Sequence, residues 1–158
     1  MPIARRLRWA LETSGLPFEI LPHARSHNSA ETAREAHVPL DRLVKPVLLE
    51  DERGYVLAIV PASCRVDLER LGEQMHRELE LARESEIAAL FGDCEAGALP
   101  PVGTAYRVPT VYDDRLAELA DVYFEAGDHE DVVHMRAPDF LKLIEGALHG
   151  HIASRVLD

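Results

Sequence analysis

The sequence predicts an α+β fold: a mixed, largely antiparallel sheet, curved or barrel-like, surrounded by helices. Three observations predict it. Apolar runs of strand length pair around short polar turns, at residues 43–49 with 55–61 and at 122–126 with 132–135. Such hairpins rule out a purely parallel, doubly wound sheet. Segments with helical spacing of apolar residues fall between the strands, and no repeat or linker breaks the chain. Its 158 residues are therefore expected to form a single domain, 1–158, large enough for a sizeable core.

Each element follows in order. Ile3, Leu7, Ala10 and Leu11 stand at helical spacing, and Gly15 and Pro17 end that helix. Residues 18–21 form a short strand leading into a polar stretch around His23 and His27. Asn28, with Glu31 three residues on, opens a helix over 29–36 as a capping box does. Strands at 43–49 and 55–61 are joined by the Asp51-Glu52-Arg53-Gly54 turn. Asp67 caps a helix to about His76, residues 79–81 make a short strand, and a helix runs from Glu84 or Ser85 to Phe91. A loop with three glycines and two prolines spans 92–103, and a strand follows over 106–112. Asp113 and Asp114 cap a helical turn. Strands at 122–126 and 132–135 flank Gly127-Asp128-His129-Glu130, and Pro138 opens a last helix to Leu148.

Composition narrows the function. An apolar fraction of 47% and a charged fraction of 28% are those of a globular protein. The net charge of -11 argues against a broad basic face for DNA, but leaves room for a small pocket that takes the end of a nucleic acid. Arg5, Arg6 and Arg8 make either a local basic patch or the solvated face of an amphipathic helix. Neither a signal-peptide core nor a run of membrane-spanning length is present, and the two cysteines sit in unrelated contexts. A reducing, cytoplasmic setting without membrane association is expected.

Only two lysines occur, and Lys45 lies inside an apolar strand. A lysine there reaches to water, finds an anionic partner, or serves chemistry, and its ammonium suits a carbonyl, a phosphate or a ribose hydroxyl. The 92–103 loop is the second candidate. Its glycines admit close approach by a ligand, and its backbone N–H groups could form an anion-binding concavity; the alternative is a rigid connection. It has neither P-loop nor dinucleotide-binding spacing. The eight histidines match no zinc pattern, so no metal and no cofactor is expected. No Gly-x-Ser-x-Gly elbow exists, and Cys94 reads either as a thiol nucleophile or as a small residue in a tight loop.

Lys45 on its strand, followed about fifty residues later by Gly97-Ala98-Leu99-Pro100-Pro101, resembles the YbaK/prolyl-tRNA-synthetase-associated domain family of trans-editing aminoacyl-tRNA deacylases. The stretch from His23 to Ala36, the 122–129 segment and the Pro138 helix resemble the family's corresponding parts, so the likeness covers nearly the whole chain. It implies a metal-independent hydrolase that clears a small mischarged amino acid from tRNA. Lys45 would hold substrate polar groups. The loop Gly97, Ala98, Leu99, Pro100 and Pro101 would turn N–H groups toward the scissile ester. A positioned water, helped by a hydroxyl of the terminal ribose, would attack. His27, Thr32, Gly127 and His129 fall in the pocket-like segments and are expected to bind substrate. The implied partner is the tRNA acceptor end with its amino acid, with a synthetase or elongation factor as a further one. Glu125 departs from the serine common in one branch, which leaves the amino acid open. The other readings are a non-catalytic module that binds an aminoacyl or nucleotide end, and, more distantly, a metal-dependent hydrolase using the histidines.

Overall fold

The computed structural model describes residues 3–156. Helix α1 (Arg5–Ser14) buries Leu7 and Leu11, one turn apart, and stops at Gly15, whose φ of 71° is left-handed. Strand β1 (Glu19–Pro22) leads to α2 (Ser29–Ala36), where the Asn28 side chain accepts from the Glu31 amide at 2.9 Å. Strands β2 (Val44–Asp51) and β3 (Gly54–Pro61) pair antiparallel without a slip, from Val44–Pro61 to Asp51–Gly54. Then come β4 (Cys64–Val66), α3 (Leu68–Met75), β5 (Glu80–Leu81) and α4 (Glu84–Leu90). Helix α5 (Gly103–Tyr106) precedes β6 (Thr110–Asp113) and a 3-10 turn (Asp114–Glu118). Strands β7 (Asp121–Glu125) and β8 (Asp131–Arg136), helix α6 (Ala137–Leu143), β9 (Leu148–Gly150) and β10 (Ala153–Arg155) complete the chain.

The α+β class and the largely antiparallel pairing hold, but the sheets do not close into a barrel. The described strands form a three-stranded sheet β1-β8-β7, a five-stranded sheet β5-β2-β3-β6-β9 and a β10-β4 pair. Only the β3–β6 and β6–β9 pairs are parallel. A single bridge, Leu43 to Tyr123, and a Tyr123 N–H to Arg42 carbonyl bond of 2.9 Å join the two larger sheets.

Two expectations fail locally. The strand expected from Tyr106 starts only at Thr110, and Tyr106 instead ends a short helix and packs on Phe91 with ring centroids 4.4 Å apart. Pro109 then confines the strand to the residues after it. The last helix ends at Leu143, and Gly146 at φ 98° redirects the chain into β9 and β10. Helices α1 and α6 cover one side of the three-stranded sheet, burying Phe124 against Phe140 and Leu7 and Leu11 beside them. Each such large apolar side chain contributes about 1.5–3 kcal/mol. Among the described residues no helix is long and apolar enough to cross a membrane.

Candidate active site

Segments far apart in sequence meet at the turn between β7 and β8. Gly127 takes φ 99°, and Asp128 stabilises the turn by accepting from the amides of Glu130 and Asp131 at 3.0 and 2.9 Å. The turn is clamped from two sides. The Ala4 amide donates to the Ala126 carbonyl at 2.8 Å, and the Glu95 amide to the Gly127 carbonyl at 2.8 Å. A Cβ on Gly127 would lie 2.7 Å from that of Ala4, so only glycine admits the start of α1 here.

Around this turn lies a buried polar cluster. Ser26, Thr32, Glu125, Asp128 and His129 are all at most 5% exposed. Asp113, also buried, lies apart and accepts from the amides of Ile152 and Ala153. With Glu125 ionised, Thr32 donates to its Oε2 at 2.7 Å, and Ser26 must then donate to Thr32 at 2.6 Å. The Ser26 amide donates to the His129 carbonyl at 3.1 Å. Burial pushes the Glu125 carboxyl above its usual range, and the Thr32 hydroxyl opposes that shift.

A stability prediction follows from the raised pKa of Glu125. The folded protein holds this proton more tightly than the unfolded chain does. Stability therefore falls as pH rises from the ordinary glutamate range through the raised value. Glu125→Gln is expected to raise the melting temperature at pH 8, with the gain vanishing toward pH 4. Thermal melts across that range check it, and a difference independent of pH would contradict it.

The 92–103 loop packs directly on this cluster. Its Glu95–Ala98 turn closes with an Ala98 amide to Glu95 carbonyl bond of 3.1 Å. Gly97, third in that turn, has φ 81°, as a type II turn requires of glycine. A Cβ on Gly97 would lie 3.5 Å from His129 Cε1 and 3.9 Å from the His27 carbonyl. His129 Nε2 donates to the Ala96 carbonyl at 2.6 Å, since a carbonyl only accepts, and its buried Nδ1 has no protein partner. Ala98, Pro100 and Pro101 are buried and Leu99 is half-buried. Among the described residues the amides of Gly97 and Leu99 make no hydrogen bond within the protein. Arg25 braces the loop by pairing with Glu95.

Lys45 pairs with Val60 across the hairpin. Leu43 and Tyr123 pack with Ala33 of α2, so alternation places Lys45 and Glu125 on that same face. The Lys45 side chain is half-buried, and its ammonium makes no ion pair or hydrogen bond with the described residues. Burial lowers its pKa, opposed by Cys64.

The structure thus brings Gly97, Thr32, Gly127 and His129 together. His27 joins through its carbonyl, while its side chain is exposed and its amide donates to Glu31. Lys45 stands on the same face without a bond to them. Ser26 and Asp128 were not foreseen, and Glu125 was noted only as a departure. The logic that singled out Lys45, a charge in a core strand, applied to β7 finds Glu125. Burial pushes the Cys94 thiol up to about 12, which leaves it protonated and unsuited as a nucleophile. No group of three or more His, Cys, Asp or Glu side chains among the described residues is arranged to hold a metal ion. Several histidines have structural roles: His37 and His76 end helices in left-handed conformation, and His134 bridges Glu19 and Asp121.

A family model described as the aminoacyl-tRNA editing domain matches residues 23–143. The proline–tRNA ligase of Xanthomonas oryzae pv. oryzae is 37% identical over 106 residues, 66% of this chain and 18% of the ligase. That of Bordetella petrii is 30% identical over 130 residues, 78% of this chain and 22% of the ligase. The chain therefore spans about a fifth of the length of these relatives. A solved structure described as a candidate trans-editing enzyme for prolyl tRNA synthetase matches with a TM-score of 0.84 and 25% identity, covering 98% of both chains. The match runs through the segments that carry His27, Lys45, the 97–101 loop and His129, and the chain belongs to the aminoacyl-tRNA editing domain family.

Proposed function

We propose that residues 1–158 act as one editing unit that hydrolyses, in trans, the ester linking a small mischarged amino acid to tRNA. The observation that carries this reading is the apposition of Gly97 to His129, beside loop amides with no partner in the protein. An aminoacyl ester is already activated, so the site need only position water and stabilise the developing oxyanion. The Gly97 and Leu99 amides supply oriented dipoles for that oxygen. Lys45, unpaired and partly desolvated, holds a carbonyl, phosphate or ribose hydroxyl of the terminal nucleotide. His129, fixed by its bond to Ala96 and donating there, leaves its buried Nδ1 as an acceptor for a water when that nitrogen carries no proton. A pocket too small for the correct amino acid supplies selection by size. Relatives named proline–tRNA ligase support prolyl-tRNA synthetase as the partner to test first, and a role in translation supports a cytoplasmic setting.

The test is a panel of labelled aminoacyl-tRNAs carrying Ala, Ser, Thr, Cys or Pro. Release above the spontaneous rate for at least one is expected, and it should persist in a strong chelator. Binding without release on every member would leave the non-catalytic module instead. Loss of activity in chelator, restored by a metal, would return the histidines to consideration.

A further inference from the structure

One surface feature has no role in the site above. Arg5 and Trp9, one turn apart on α1, line with Arg6, Thr104 and Arg107 a groove of about 730 Å³. Trp9 is 69% exposed, and no described residue forms an ion pair with Arg5, Arg6 or Arg107. Arg6 lies over the Tyr106 ring, 5.7 Å from its centroid. Three arginines beside an exposed indole stand out on a chain of net charge -11, while Arg8 pairs with Glu12. A large exposed aromatic among cations marks a contact surface.

Neighbouring depressions share rim residues with this groove and reach the outer side of the candidate-site loop. Arg5 and Arg6 also line a second depression with Gly92 and Asp93. Gly92 in turn borders a third, whose wall is the outer side of the loop at Cys94, Glu95, Ala96 and Leu99. Shared residues thus line up three depressions between Ala96, beside Gly97, and Trp9. The acids along this track are mostly engaged. Asp93 accepts from the Arg6 amide and the Tyr106 hydroxyl, and Glu95 pairs with Arg25, which leaves Glu84 open to solvent.

We propose that this track binds the single-stranded RNA that leads into the site, with a base stacked on Trp9 and phosphates on Arg5, Arg6 and Arg107. This assignment rests on the deacylase reading for its direction, with the RNA end at Gly97. Its chemistry is that of single-strand binding, a cationic path with an aromatic platform that takes any base. The surplus of acid elsewhere repels a polyanion and confines it to this face.

The intact protein is titrated against a labelled, uncharged RNA of about six nucleotides, within the usual span of one such site, by fluorescence anisotropy across a salt series. Trp9→Ala is expected to weaken binding by about tenfold. Arg5→Gln with Arg107→Asn, the latter suited to the left-handed backbone there, should flatten the slope of log K against log salt by about 0.7 per arginine removed. Arg53→Gln, on the distant β2–β3 turn, should bind as the parent does. RNA binding absent in the parent, or equal in parent, Trp9→Ala and the double variant, would overturn the proposal and leave the groove to a protein partner. Hydrolysis of an aminoacyl-adenosine by the parent is measured separately. Its failure would remove the deacylase reading while the anisotropy still decides the groove.

Discussion

Lys45→Ala is expected to lower kcat/KM for the aminoacyl-tRNA that the protein edits by about 100-fold or more, with the fold intact. That loss corresponds to about 2.7 kcal/mol of transition-state stabilisation, the scale of one charged group aimed at a reacting centre. The melting temperature should stay level or rise. Burial lowers the pKa of Lys45, so the folded protein binds that proton less tightly than the unfolded chain. Stability then increases with pH toward the ordinary lysine value of 10.5, and at neutral pH the half-buried, unpaired ammonium is a burden. Removing it relieves the fold while disabling the site. Lys45→Met, which keeps most of the stem, separates the two effects: it should be as inactive as alanine and at least as stable as the parent. Arginine should not rescue, since its planar fork does not replace a compact ammonium. A Lys45→Ala protein as active as the parent would remove this residue from the mechanism.

Gly97→Ala is expected to cut activity by at least about tenfold and to lower stability by about 1–2 kcal/mol. Two separable causes act. At φ 81° an alanine is strained wherever it fits, which is the stability term. The new methyl would sit 3.5 Å from the His129 ring, an ordinary contact that forces no collision in the protein. What it does is crowd the Gly97 amide, where the ester oxygen is proposed to dock. Measuring rate per folded molecule beside a chemical denaturation curve distinguishes the terms. Lost stability with an unchanged rate would make the loop structural only.

Much of the fold was legible because its signals are local. The Asn28 cap and the β2–β3 hairpin depend on residues a few positions apart, and both form, though Glu31 reaches back to the His27 amide rather than to that of Asn28. The three-residue strands β4, β9 and β10 were not legible. Each is too short to carry a period, and each exists only through a distant partner, as Ala153 with Val66. Likewise Lys45 and Gly97 could be singled out by residue type in an odd setting. The Ser26–Thr32–Glu125 chain could not, because Thr32 and Glu125 are 93 residues apart and nothing in either segment pairs them.

That chain has a direction. With Glu125 ionised, the Ser26 and Thr32 protons both run toward its Oε2, so neither hydroxyl is left to donate to a newcomer. The cluster's atoms without a protein partner are Glu125 Oε1, Asp128 Oδ2 and His129 Nδ1. In that protonation state, with His129 neutral, this buried cluster presents lone pairs and no hydrogens. Whatever settles against it must bring its own protons, as an ammonium, a hydroxyl or a water does and a bare carbonyl or carboxylate does not.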